Sequence, residues 1–91
     1  MEIDYQTFLK MKNIEVIDLR DNQRNKLKYF DKIKYIPFTK LIIEPFKYLR
    51  KENSYLLVCE HGIKSKKTSE ILNRQGYHTY SLKNGINNIN L

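Results

Sequence analysis

The chain contains little of several residue types. Its 91 residues include one cysteine, two prolines, three glycines, no tryptophan and no alanine. A single cysteine, Cys59, cannot form an internal disulfide, so its thiol is either buried or reactive, and a reducing compartment is expected. No stretch approaches the length of a membrane span, and no long apolar run follows Met1. These absences exclude a disulfide-rich secreted scaffold and a membrane-spanning protein, and they predict one cytoplasmic domain over residues 1–91.

The net charge is +7, from 17 basic and 10 acidic residues. Such a balance is compatible with a nucleic acid, an acidic partner or an anionic substrate. However, Lys, Asn, Ile and Tyr abound while alanine is missing, a bias typical of an AT-rich genome. Much of the basic surface is therefore interpreted as solvated lysine. Nucleic-acid binding rests on charge alone and is disfavoured.

Hydrophobic patterns of helical and strand type alternate along the chain, with Gly and Pro marking the boundaries. Units of strand, helix and strand of this length predict an α/β fold, with a mainly parallel central sheet covered by helices on both faces. The predicted strands are Ile14–Leu19, Tyr35–Phe38, Tyr55–Val58 and Thr79–Leu82. The predicted helices are Tyr5–Met11, a helix from Pro45 that carries Phe46 and Leu49, and a helix with Thr68, Ile71 and Leu72 on one face that stops near Gly76. The remaining segments are a loop with a turn of helix at 21–34, a turn at Lys83–Gly85 and a terminal segment with Ile86 and Ile89.

Cys59 follows the predicted strand Tyr55–Val58 directly, and a loop containing Gly62 leads from it into a helix. Loops at the carboxyl ends of parallel strands carry catalytic residues in sheets of this kind. Backbone amides of such a loop, together with the helix N-terminus, surround the sulfur with positive potential. This potential and the adjacent cation Lys64 favour the reactive thiolate. An inert buried thiol is the less favoured alternative.

The residues around Cys59 resemble the active-site loop of the rhodanese-like domain. That family carries the pattern Cys-x-x-Gly-x-Arg-Ser, which Cys59, Gly62 and Ser65 match, with Lys64 in the Arg position. The segment from Ile17 to Asp21 looks like the family's Asp-Val-Arg-Glu/Asp stretch. Three further likenesses extend the resemblance over residues 5–89, namely Ile36-Pro37, the helix with Leu72, Gly76 and Tyr77, and Leu82–Ile86, where Asn84 replaces one of two glycines.

This resemblance implies a three-layer rhodanese-like fold and a sulfurtransferase. Cys59 is then the catalytic nucleophile, which takes sulfane sulfur from thiosulfate or a persulfide and passes it to a thiol, cyanide or a sulfur-relay protein. No cofactor and no metal are implied. The loop amides are expected to bind the outer sulfur of the persulfide as an oxyanion hole binds oxygen. The substrate-binding loop comprises Glu60, His61, Gly62, Ile63, Lys64 and Ser65.

Several of these side chains have a second interpretation. Ser65 is at least as well explained as an N-cap of the helix as by a contact with substrate. His61 is expected to face solvent, and Glu60 either disfavours strongly anionic donors or points away. Asp18, Arg20 and Asp21 are interpreted as structural, with an ion pair that holds the turn after the first long strand.

Two alternatives to sulfur transfer stay open, one a different enzyme class and the other a domain without catalytic activity. Cysteine-based phosphatases and arsenate reductases also place a thiolate under a ring of amides, but their Arg lies one position farther from the Cys. Here four residues separate Cys59 from Lys64, and Lys lacks the planar fork that grips phosphate oxygens in pairs. A catalytically silent rhodanese-like interaction module is the other alternative.

Overall fold

The computed structural model describes residues 1–21 and 30–88. The predicted loop at 21–34 lies mostly outside the described residues, and so does Ile89. In the described part the strands are β1 (Glu2–Ile3), β2 (Ile14–Asp18), β3 (Ile33–Tyr35), β4 (Ser54–Val58) and β5 (His78–Leu82), the helices are α1 (Tyr5–Lys10), α2 (Phe38–Ile43) and α3 (Ile63–Arg74), and two short 3-10 turns cover Pro45–Lys47 and Ile86–Asn88.

The five strands of the described residues form one parallel sheet in the order β1-β5-β4-β2-β3. Central strand β4 pairs with β2 through Asp18 and Val58, and with β5 through Leu57 and Ser81. The carboxyl ends of all five strands therefore meet at one edge. Because Cys59 follows β4, it lies at the middle of that edge.

Each face of the sheet carries its own hydrophobic core. On one face, Leu41 of α2 and Leu72 of α3 pack with inward residues of the sheet such as Ile17 and Leu57. On the opposite face, Tyr5 and Phe8 of α1 pack against a cluster whose buried members are Ile3, Val16, Phe30, Leu56, Val58, Leu82 and Ile86. Helices thus cover both faces, which confirms the predicted α/β architecture.

Helix α1 begins at a side-chain cap. The carboxylate of Asp4 accepts a hydrogen bond from the Thr7 amide at 2.7 Å, and hydrogen bonding with Thr7 holds the pKa of Asp4 below its usual value. Capping of this kind satisfies an amide that the first turn leaves without an intrahelical partner. Within the described ranges, no helix has the length and apolar character needed to cross a membrane.

The segment around the two prolines differs from the prediction. The strand covers Ile33–Tyr35 rather than Tyr35–Phe38, and Pro37 is the N-cap of α2. Pro45 opens a single 3-10 turn, not the predicted helix. Proline has no amide hydrogen and a fixed φ, so it suits a helix start as well as a strand end. Strand β1 was not predicted, because two residues are too few to show a period.

Helix α3 and strand β5 agree with the prediction and meet through small polar side chains. The buried residues of α3 are Ser65, Thr68, Ser69 and Leu72. One turn beyond Ser65, the Ser69 hydroxyl lies 2.7 Å from the hydroxyl of Thr79 in β5. Small side chains bring the helix close to the sheet, and Gly76, with a φ of 98°, follows the helix end as predicted.

Candidate active site

The sulfur of Cys59 lies among hydrogen-bond donors at the start of α3. Cys59 is 5% exposed, and its thiol is free. The backbone amides of Gly62 and Ser65 donate to Sγ at 3.1 and 3.4 Å. The hydroxyl oxygen of Ser65 is 3.3 Å from Sγ. Three polar groups of the loop and helix thus converge on one buried sulfur, an arrangement that suits a negatively charged sulfur atom.

These amides point at the sulfur because the helix begins at a glycine. Gly62 is the N-cap of α3 with a φ of 88°, a left-handed conformation that side chains rarely adopt. The amides of the first helical turn have no carbonyl partner within the helix. Here Cys59 Sγ takes the place of such a partner for Ser65, and the positive end of a 12-residue helix faces the thiol.

The segment after β5 forms backbone hydrogen bonds to the Cys59 loop. The amide of Ile86 donates to the carbonyl of Cys59 at 2.9 Å, and the amide of Asn87 donates to the carbonyl of Glu60 at 3.1 Å. Asn84 precedes this contact with a φ of 63°. Asparagine tolerates the left-handed region better than most residues, which explains how it can stand where the family resemblance expects glycine.

Ser65 belongs to the interior of the site. It lies in the third helical position, so it is not the N-cap, and the interpretation of Ser65 as only an N-cap is wrong. Its hydroxyl reaches the Gly62 carbonyl at 3.3 Å and the Ser81 hydroxyl at 2.6 Å. Ser65 and Ser81 are both fully buried.

A pocket of about 420 Å³ opens beside the thiol. The pocket lies between the Cys59 loop, which follows β4, and the end of β2, because β4 and β2 are neighbours in the sheet. Both basic and acidic side chains face it, so charge alone does not define its ligand. Its lining residues are Leu19, Arg20, Asp21, Cys59, Glu60, His61, Ile63 and Lys64.

Arg20 is held on the wall of this pocket by Asp18. Its Nε lies 3.1 and 3.0 Å from the two carboxylate oxygens, and a terminal guanidinium nitrogen lies 2.8 Å from Oδ2. The backbone amide of Arg20 adds a hydrogen bond to Oδ1 at 3.0 Å. Hydrogen bonding to Asp18 raises the pKa of Arg20, and the charge of Glu60 acts in the same direction. Of the three charged residues predicted at this turn, Asp18 and Arg20 form an ion pair, and Asp21 lines the pocket.

Lys64 lines the pocket, and its ammonium group lies over an aromatic ring. The distance from Nζ to the ring centroid of Phe38 is 5.1 Å, within the range of a cation–π interaction. Lys64 is exposed, as are Glu60 and His61. The ring restricts where the ammonium can go, so α2 contributes to the site.

Sequence reasoning missed Phe38, Ser81 and Gly85 as contributors to the site, the last because its backbone lies against that of Glu60. The sequence pattern places Phe38 in a strand and assigns Ser81 only to strand β5. Their roles depend on which elements become neighbours, so the local pattern carries little signal for them. Among residues 1–21 and 30–88, no group of three or more His, Cys, Asp or Glu side chains is placed to hold a metal ion.

Comparison with known sequences identifies relatives over part of the chain. A tRNA sulfurtransferase of Shewanella oneidensis is 41% identical over 70 residues, which is 72% of this chain. The matched segment spans 14% of that relative's length. No model of a known protein family matches the chain.

Solved structures share the fold over nearly the whole chain. A rhodanese homologue from Thermus thermophilus superimposes with a TM-score of 0.74 and 25% identity, covering 96% of this chain and 98% of the other. A rhodanese-like domain protein from Staphylococcus aureus gives a TM-score of 0.74 with 24% identity, covering 93% of this chain and 82% of the other.

Proposed function

We propose that this chain, a rhodanese-like domain, is a sulfurtransferase that carries sulfane sulfur as a persulfide on Cys59. The observation that carries the proposal is the convergence of the Gly62 and Ser65 amides on Sγ. A buried sulfur with two backbone donors is suited to bear the negative charge of the thiolate, the form that attacks the donor. The tRNA sulfurtransferase relatives support a role in sulfur transfer.

The proposed reaction needs no protein acid or base. The Cys59 thiolate attacks the outer sulfur of thiosulfate, so the new bond joins Sγ to that sulfur, and sulfite leaves with the electron pair of the broken S–S bond. A second thiophile, such as cyanide or a thiolate, then attacks the outer sulfur of the persulfide. The Cys59 thiolate departs and is ready for another cycle.

The loop residues serve this reaction by position and by charge. Gly62 and Ser65 hold Sγ, and in our proposal the remaining amides of residues 60–65 face the outer sulfur. Lys64 lines the pocket beside Cys59, where its charge would attract an anionic donor, whereas the charge of Arg20 is paired with that of Asp18. The sulfurtransferase relatives support a place in a sulfur relay, in which the acceptor is a thiol of another protein.

Sulfur loading is the direct test. The full chain is incubated with thiosulfate, glutathione persulfide or polysulfide, and its intact mass is measured under non-reducing conditions. We expect the addition of one sulfur atom, removed again by cyanide with release of thiocyanate. Steady-state kinetics with thiosulfate and cyanide should be ping-pong, because one nucleophile is loaded and then emptied.

Cys59→Ser is the matched control, since it exchanges only the sulfur for oxygen. It should fold with a similar melting temperature and take up no sulfur. Transfer that survives in Cys59→Ser would refute the mechanism. A chain that folds yet accepts sulfur from none of these donors would instead support the silent interaction module.

A further inference from the structure

Two buried hydroxyl groups form a chain that ends at the catalytic sulfur. Ser65 Oγ is 3.3 Å from Cys59 Sγ, and it is 2.6 Å from Ser81 Oγ. Both serines are 0% exposed, so bulk water does not compete for these contacts. A separation of 2.6 Å marks a short O–H···O hydrogen bond, so one serine donates to the other.

Which of the two serines donates this hydrogen bond depends on the protonation state of Cys59. When the thiol carries its proton, the S–H group can donate to Ser65 Oγ, and the Ser65 hydrogen is left for Ser81 or for the Gly62 carbonyl at 3.3 Å. When Cys59 is a thiolate, it needs donors, and the Ser65 hydroxyl can supply one. The Ser81 hydrogen is then the one that lies between the two oxygens.

We propose that Ser81 is a positioning residue for Cys59. In the thiolate state its hydroxyl donates to Ser65 Oγ and keeps the Ser65 hydrogen directed at Sγ. The inference rests on the proposed role of Cys59 as the nucleophile, and it extends the site to strand β5. Ser81 acts through Ser65 and does not touch the sulfur donor.

Removal of the Ser81 hydroxyl should penalise the thiolate more than the thiol. A hydroxyl that accepts a hydrogen bond is a stronger donor, because hydrogen bonds in a chain polarise one another, most of all in a low-dielectric interior. Without Ser81, the Ser65 hydroxyl loses that polarisation in the thiolate state. In the thiol state it can still donate to the Gly62 carbonyl.

The sheet register places Ser81 at this point. Ser81 pairs with Leu57 of β4, two residues before Cys59, and the neighbouring α3 brings Ser65 over it. The same interface holds a second hydroxyl pair, Ser69 and Thr79, at 2.7 Å. That pair is also buried, but it has no hydrogen bond to the sulfur, so it provides a matched control for the loss of a buried hydroxyl.

The test measures the reactivity of Cys59 without any sulfur donor. The full chain and its variants are alkylated with iodoacetamide at pH 7, and the rate is followed by intact mass. Ser81→Ala should react about two- to tenfold more slowly, the range expected for one hydrogen bond. Ser69→Ala should react at the rate of the unmodified chain, although both variants lose some thermal stability.

A double-mutant cycle tests whether Ser81 acts through Ser65. Ser65→Ala should slow alkylation by itself, and adding Ser81→Ala should cause no further loss. The pair Ser81→Thr and Ser81→Val repeats the comparison with side chains that suit a strand. Ser81→Thr keeps the hydroxyl and should be alkylated at the unmodified rate, whereas Ser81→Val should be alkylated more slowly. This pair serves as the test if Ser81→Ala does not fold.

Two results would overturn the inference. One is a folded Ser81→Ala chain that is alkylated at the unmodified rate, and the other is an equal effect of Ser81→Ala with and without Ser65. Both are independent of sulfur transfer. A failure of the unmodified chain to load sulfur would refute the proposed function and leave the alkylation comparison intact.

Discussion

Gly85 contacts the backbone of Glu60 so closely that a β-carbon on Gly85 would overlap the Glu60 carbonyl and the His61 amide. The turn after β5 and the Cys59 loop are thus in backbone contact. Gly85 also has a φ of 73°, which disfavours any side chain. The shape of the Cys59 loop therefore depends on a residue that lies 26 positions after Cys59 in the sequence.

Gly85→Ala should displace the Cys59 loop and lower both stability and thiol reactivity. We expect the free energy of unfolding to fall by about 3 kcal/mol or more, at the upper end for single substitutions, and alkylation of Cys59 to slow. Urea unfolding and iodoacetamide kinetics measure the two effects. Gly76→Ala is the control: its φ is 98°, but its β-carbon would meet only the Lys51 side chain, at 3.5 Å. It should cost about 1 kcal/mol and leave the thiol unaffected.

Charge reversal at Lys64 should slow sulfur loading. Lys64→Glu places a negative charge beside the thiolate and repels an anionic donor, whereas Lys64→Arg keeps the charge, adds donors in a fixed fork and should retain or increase the rate. Stopped-flow loading with thiosulfate reports the change. Lys67→Glu makes the same charge change on an exposed residue of α3 that does not line the pocket. If the Lys, Arg and Glu forms loaded at equal rates, Lys64 would have no part in the reaction.

Phe38→Leu should alter the effect of Lys64 without abolishing transfer. The ring lies 5.1 Å from the ammonium, an interaction worth about 0.5–1 kcal/mol at an exposed site. With the ring removed, the ammonium gains freedom, and the dependence of loading on Lys64 should shrink. Introducing Lys64→Met into the unmodified chain and into the Phe38→Leu variant measures that coupling. Equal effects of Lys64→Met in both backgrounds would contradict a role for the ring.

Loss of the Arg20 guanidinium should destabilise the fold, because Asp18 is 0% exposed. Arg20→Met leaves a buried carboxylate without its cation, and removal of one partner from a buried pair typically costs about 3–5 kcal/mol. The exposed Arg74 provides the control, since Arg74→Met should change stability by less than about 0.5 kcal/mol. Urea midpoints decide the matter, and similar midpoints for the two variants would show that the ion pair contributes little.

The four-residue spacing between Cys59 and Lys64 predicts that phosphate esters are poor substrates. The unmodified chain should release no phosphate from aryl phosphates beyond the background of Cys59→Ser. Insertion of one Gly between Ile63 and Lys64 should widen the ring of amides, improve the binding of an oxyanion and abolish stabilisation of the persulfide. Robust phosphate release that depends on Cys59 in the unmodified chain would favour the phosphatase alternative.

The central strands, helix α3 and the place of Cys59 after a strand and before a helix could be predicted from the sequence alone. Residues Tyr55–Val58 of β4 are a continuous apolar run, β2 carries Ile14, Val16 and Ile17, and the segment from Cys59 to Gly76 has a glycine at each end of a helical pattern. Hydrophobic periodicity and the glycines that end an element are local features of the sequence, so they can be recognised without knowing which elements pack together. The parallel α/β fold followed from the alternation of these elements.

The residues that contact the Cys59 loop and helix α3 from other elements emerge only from the folded structure. Arg20, Phe38, Ser81 and Gly85 come from four separate segments, and the strand order β5-β4-β2 and the packing of α2 against α3 bring them to the pocket, the loop and the helix that surround Cys59. A buried serine in a strand has the same local pattern whether its hydroxyl meets the backbone of a helix or the hydroxyl of Ser65 next to Cys59. The sequence pattern fixes which face a residue occupies, whereas its partner depends on strand register and helix packing, which are set by contacts between distant parts of the chain.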